Sequence, residues 1–282
     1  MILEPTSLRL KRLSLILFLF FAVLPLSAGL LMGLMQSLGW GALNQQMSFQ
    51  HWATVWTDPA FFWSLAYSLY IALLSTLLAL CLAIVFNIPM AGKKRVPLSL
   101  YVPLALPAVV MAFFSYQLLS PSGLLSRLGQ RLGLIEAGSD FLALTADTWG
   151  LAIIFTHALM SCFFFTLYFR HLWLGEGLDR IGETATNLGA KPAQVLWQLQ
   201  IPHLLKRSRP MIGLYFIFAL GSYEIPLLLG RSFPKMLSVL AVDKLQNFRL
   251  ADRPEAFVMA LSYALLLAIA IYGPLIFKRR RI

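Results

Sequence analysis

Glu224 is the residue whose type and setting first suggest chemistry. It lies in an apolar run, Leu220-Gly221-Ser222-Tyr223-Glu224-Ile225-Pro226-Leu227-Leu228-Leu229-Gly230. An ionised carboxylate in hydrocarbon is costly, so it must meet a partner, water or a pathway. It follows Pro210 by 14 residues, which puts it about 21 Å along a continuous helix, in the outer part of a membrane. Pro226 would loosen that helix and free carbonyls. Two readings stay open: a lining residue that favours cations, or a structural hydrogen bond to a neighbouring span. Tyr223 and Tyr116 could line the same path, with Phe113, Phe114, Tyr215 and Phe216. Aromatics at helical spacing equally serve packing.

Other chemistry is missing from the sequence. No Gly-x-x-x-x-Gly-Lys-Ser/Thr run could cradle a nucleotide's phosphates. No carboxylate pair, His cluster or Ser/His/Asp grouping stands out, so neither a catalytic residue nor a metal site is assigned. Gly221-Ser222 lacks the flanks an intramembrane protease would need, with His157 as its base. Cys81 and Cys162 both lie in apolar runs, which argues against a disulfide framework or a Cys metal site. Lone His51 reads as a surface histidine.

The elements that must position these residues are membrane spans. The chain is 59% hydrophobic and 12% charged, against about 25% charged in an ordinary soluble domain. Apolar runs at about 13–35, 61–88, 96–119, 148–169, 210–230 and 255–277 predict six spans. Leu26-Ser27-Ala28 faintly resembles a cleavage site, but the apolar run continues past it, so a retained first span is expected. Residues 36–60 read as a loop interrupted by Gln45, Gln46, His51, Asp58 and Pro59. Within it Trp52 and Trp56 fit an interfacial helix. Pro97, Pro103 and Pro107 predict a kinked or broken third span. Residues 124–134 read as an amphipathic surface helix. Arg170 and His171 close the fourth span, and 231–254 form a polar loop.

Six spans put both termini on one side. That side collects 16 of the 23 Lys and Arg, and the other side 7. The positive-inside rule therefore places both termini, and the segment between spans four and five, in the cytoplasm. Topology and anionic lipid account for the net charge of +11, and no nucleic-acid partner is expected.

That cytoplasmic segment has its own pattern. Ile181, Ala185 and Leu188 share a helical face, and Gly189 suits a left-handed stop. Pro192 suits the first turn of a second helix. Val195, Leu196 and Leu199 give that helix an apolar side, and Pro202 is expected to end it. Two short amphipathic helices with a tight corner between them should dock on another protein.

The segment resembles the cytoplasmic EAA loop of permease subunits in bacterial type I ABC importers, the binding-protein-dependent, MetI-like family. Glu183, Ala185, Gly189, Leu199, Ile201 and Pro202 match that pattern in type and spacing, and Trp197 matches the aromatic of its second helix. Thr184 departs from the expected Ala. The stretch around Glu224 is similar to the corresponding span of polyamine and ferric-ion permeases. The resemblance covers residues 61–277, with the first span as an addition. It implies an all-α membrane protein of six transmembrane helices with a coupling-helix loop between helices four and five. Its parts would be 1–60 (first helix and periplasmic loop), 61–278 (permease core, EAA loop 183–202) and 279–282 (basic tail). It implies multi-pass residence in the inner membrane and transport of a polyamine or another small cation. It implies no enzyme activity and no cofactor in this chain, with Mg-ATP bound by two partner ATPases. A second permease, identical or homologous, and a solute-binding protein complete the implied assembly. The ATPase-coupling residues would be Glu183, Ala185, Leu188, Gly189, Ala190, Trp197, Ile201 and Pro202. An ATP-independent six-span carrier or channel, and a non-transporting membrane scaffold, are the alternatives.

Overall fold

The computed structural model describes residues 13–40, 47–90, 97–247, 249 and 252–279. Gln45, Gln46, the basic clusters Arg9–Arg12 and Lys93–Arg95, and Arg280 and Arg281 lie outside the described residues. Everything regular among the described residues is helical. The helices are α1 (Leu13–Ser37), α2 (Gln50–Thr57), α3 (Pro59–Asn87), α4 (Ala108–Leu119) and α5 (Leu124–Arg131). They continue with α6 (Leu151–Gly175), α7 (Leu178–Asn187), α8 (Ile201–Leu220), α9 (Glu224–Leu229), α10 (Leu237–Gln246) and α11 (Asp252–Arg279).

Among the described residues, four stretches are long and apolar enough to cross a membrane: Leu13–Ser37, Pro59–Met90, Ala108–Arg131 and Leu151–Gly175. The third of these is α4 and α5 on either side of a turn at 120–123, and α4 alone has 12 residues. Ahead of it the three prolines do break the helix. Leu98–Leu100 and Val102–Ala105 form tight 3₁₀ turns, and Pro107 is the N-cap of α4.

Four expectations need correction. The fourth helix does not close at Arg170 and His171: α6 runs on to Gly175, and Arg170 is 1% exposed within it. Burial of Phe165, Phe169 and Trp173 on one stripe carries the helix through. The expected fifth span is not one helix, because α8 stops at Leu220 and α9 begins at Glu224. Gly221 and Ser222 have low helix propensity and sit just where the ladder ends. The loop 231–254 contains α10. Pro202 does not end the second short helix. The chain turns through Pro192–Gln194 and a π-helical stretch, Val195–Gln200, and continues into α8. A proline ring clashes with the carbonyl four residues back, and wider π-helical spacing just before it makes room.

The chain divides into two compact units. In the unit made of residues up to Phe61 and from Leu240 on, α11 packs on α1 and α2. Trp56 Nε1 donates to Ser262 Oγ at 3.1 Å and Trp52 Nε1 to Ser37 Oγ at 3.3 Å. Lys244 pairs with Glu255 there.

The unit Phe62–Val239 has two apolar clusters. One gathers Ile71, Ala112, Ile153, Ile225 and Leu229, from α3, α4, α6 and α9. The other gathers Leu80, Phe165, Phe169, Trp173, Leu178 and Leu204, from α3, α6, α7 and α8. Several buried hydroxyls donate to the preceding turn, as Thr156 does to the Ala152 carbonyl. One amide crosses between helices: Asn87 Nδ2 donates to Thr166 O at 3.1 Å. Asp147 caps α6, accepting from Leu151 N and Trp149 N, each at 2.9 Å.

Between those bonds Gly150 takes φ +65°, and a Cβ there would lie 2.4 Å from Ile71 Cδ1 and 2.6 Å from Tyr67 Oη. Gly213, within α8, has nothing within 4 Å of its Cβ position. Gly150→Ala should therefore destabilise by about 2–4 kcal/mol, summing left-handed strain and overpacking. Gly213→Ala should be neutral or stabilise by up to about 1 kcal/mol. Thermal unfolding of the two variants in detergent checks the contrast.

Candidate functional site: a helical corner and a broken helix

The corner begins where α6 ends. Gly177, at φ +64°, turns the chain into α7, whose first residue Leu178 is wholly buried in the second apolar cluster. Asp179, in the first turn, accepts from Trp173 Nε1 at 2.7 Å, which ties α7 back to α6. Gly182 lies against the π-helical turn. A Cβ there would come within 2.7 Å of Gln200 Nε2 and 3.3 Å of Val195 Cγ1. The missing side chain lets Gln200 Nε2 reach the Leu178 carbonyl at 3.1 Å. Gly189 follows α7 with φ +93°, the left-handed stop its position in the sequence predicts.

Around this corner the apolar residues divide into two sets. Val195 and Ile201 are buried. Ile181 (41%), Leu188 (84%) and Trp197 (60%) are open on this chain, and Ala185 and Ala190 are half-buried. Glu183 is exposed and lines a groove of about 930 Å³ with Glu176, Asp179, Arg180 and Thr186. Pro202, also exposed, sits in the first turn of α8. The predicted coupling residues thus fall on one corner, with open apolar side chains beside an acidic groove.

The clamp that fixes this corner was not legible in the sequence. Glu176 stands between the two helices and pairs with Arg207 Nε at 2.6 Å and with His203 Nε2, both on α8. The partners are 27 and 31 residues away, so no local pattern announces them. His203 and Arg207 do sit four apart, on one face of α8. The His203 contact, and next the Arg207 guanidinium, hold the Glu176 carboxyl below the ordinary carboxylate range. Gly182 and Gln200 were likewise not foreseen as a pair.

The second part of the site is the break between α8 and α9. Tyr223 is the N-cap of α9 and is half-buried, and Glu224 is exposed in the first turn. Pro226, buried, also lies in that first turn, where its missing N–H costs nothing. The break comes before it. The Ser222 carbonyl, freed by the break, accepts from Ser238 Oγ. Ala108, at the start of α4, joins Phe218, Ser222, Tyr223 and Glu224 around a concavity of about 440 Å³. Tyr116 is exposed on α4 but does not line it. No ion partner meets Glu224 among the described residues. No group of three or more His, Cys, Asp or Glu among the described residues could hold a metal.

No family model matches the sequence, and no curated protein matches it. The structure is similar to a chain of a bacterial ABC transporter involved in the import of the acidic polysaccharide alginate. The TM-score is 0.66 at 17% identity, covering 98% of this chain and 95% of that one. At this identity the likeness is one of fold.

The clamp has a pH signature. A carboxyl held below its ordinary pKa of 4.5 stabilises the folded corner above that pH and loses the effect as pH falls through the depressed value. Protection of the α7 amides, taken relative to the intrinsic exchange rate at each pH, should hold from pH 7 to about 5 and fall below the ordinary carboxylate range. Glu176→Gln should show the lowered protection at pH 7 already. Equal protection in both proteins at pH 7 would contradict the clamp.

Proposed function

We propose that this chain is the permease subunit of a bacterial ABC importer, held in the inner membrane by six spans with both termini in the cytoplasm. The observation that carries the reading is the corner at Gly189, where an apolar strip stands open beside an acidic groove on a short helix. That helix is tied to α6 by Trp173–Asp179 and to the turn ahead of α8 by Gln200–Leu178, and Glu176 ties the end of α6 to α8, so force on the corner reaches the long helices. The strip of Ile181, Leu188 and Trp197 would seat against a separate ATPase, which binds Mg-ATP. Closure of two ATPases would press on α7 and move α6 and α8 together, switching the spans between inward- and outward-facing states. A second permease, identical or homologous, would complete the path, and an external binding protein would deliver solute.

The likeness to the alginate importer supports the fold of this reading and leaves its solute open. We place the solute in the opposite charge class. Glu224 at the helix break would repel a polyanion and attract a small cation.

Gly189→Val tests the coupling cleanly. A Cβ there meets nothing within 4 Å, so the variant acts through backbone strain alone, at least about 1 kcal/mol for a left-handed L-residue. Gly189→Val and Glu183→Lys should each lower ATP-dependent solute uptake at least tenfold while the chain remains in the membrane. Unchanged uptake in both variants would overturn the proposal.

A further inference from the structure

We infer that the transported solute is an organic cation of single charge with an apolar body, bound with its charge at Glu224 and its body along α8. The inference rests on the reading that this face of the chain lines the path. Two concavities of about 440 Å³ each adjoin along α8, sharing Ile217 and Phe218. Sites of this size suit small molecules. The first contains Glu224, and neither contains another charged residue.

The second concavity is apolar in a stronger sense than its composition suggests. Its two hydroxyl side chains, Ser161 and Tyr215, both donate to the His157 carbonyl, Ser161 Oγ at 2.6 Å and Tyr215 Oη at 3.1 Å. Neither hydroxyl proton is left for a solute. What faces inward is Phe164, Phe218, Met160, Met211 and the Tyr215 ring. Thioether and aromatic groups of this kind hold flat or branched apolar bodies and accept a cation at the ring face.

The first concavity supplies one negative charge, with the Ser222 and Tyr223 hydroxyls as its other polar side chains. The Ser222 carbonyl already takes the Ser238 hydroxyl. One carboxylate neutralises one ammonium. A polyamine with three charges would carry the others against apolar walls, where an unpaired charge is costly. A sugar long enough to reach the second concavity would leave its hydroxyls without partners there. A solute with one cationic head and an apolar body leaves nothing unpaired.

The test uses the purified full chain in lipid nanodiscs and equilibrium dialysis with radiolabelled benzyltrimethylammonium, spermidine and benzoate. Benzyltrimethylammonium should bind at least tenfold more tightly than either of the others. Glu224→Gln should weaken it at least tenfold, Glu224→Asp by less than threefold, and Phe218→Ala by about fivefold. Each variant is first checked for a monodisperse elution profile. Tighter binding of spermidine, no binding of benzyltrimethylammonium, or affinity unchanged in Glu224→Gln would overturn the inference. Binding to the isolated chain needs no ATPase, so such a failure is separate from a failure of the coupling proposal, which the uptake of the Gly189 and Glu183 variants reads.

Discussion

A backbone polar group left open in hydrocarbon costs several kcal/mol, and this constraint governs where the chain can break. It breaks twice in stretches that ought to span a membrane: before α4, where Pro97, Pro103 and Pro107 interrupt the helix, and between α8 and α9 at Gly221–Tyr223. The two breaks meet. Ala108, at the start of α4, lines the same concavity as residues 221–225, and α9 packs on α4. A hydroxyl from Ser238 covers the carbonyl that the second break frees. Irregular backbone is tolerated in a membrane protein where it is buried in protein or lines a cavity. Here it does both, and the only carboxylate of that cavity sits at the break.

The corner at Gly189 shows the same economy in a polar setting. A free amphipathic helix of 10 residues would be marginal in water. α7 is held by three unlike contacts: Leu178 in the apolar cluster, Asp179 on the Trp173 indole, and Gly182 close against Gln200. The Glu176 clamp closes the loop onto α8. None of these uses the outward strip, so docking there would not compete with the contacts that hold the helix. The proposed coupling depends on this separation between the residues that fix the corner and those that face a partner.

Much of this was legible in the sequence because it rests on local rules. A helix from Leu178 to about Leu188, a left-handed Gly189 and a helix start at Pro192 all follow from propensity and capping. Hydropathy located the long helices, and three prolines in a dozen residues foretold the broken third stretch. The misses share one physical cause, competition between a local rule and tertiary packing. Pro202 stops a helix by local rules, yet the π-helical turn ahead of it absorbs the ring. Arg170 reads as a membrane boundary, yet the apolar stripe on either side of it carries α6 a full turn further. Glu224 reads as mid-helix because hydropathy is blind to a break made by Gly-Ser. The Glu176 clamp was illegible altogether, since nothing in a sequence reports contacts made across some thirty residues.

The central claim is that the open strip at the Gly189 corner seats a separate ATPase. The most direct measurement is to tag the chain in its native host, extract it in mild detergent and identify by mass spectrometry what accompanies it. The account predicts a nucleotide-binding subunit in the complex, together with a second permease chain and a binding protein. A chain that emerges alone, with no ATPase attached even after cross-linking through residues 183–202, would contradict it.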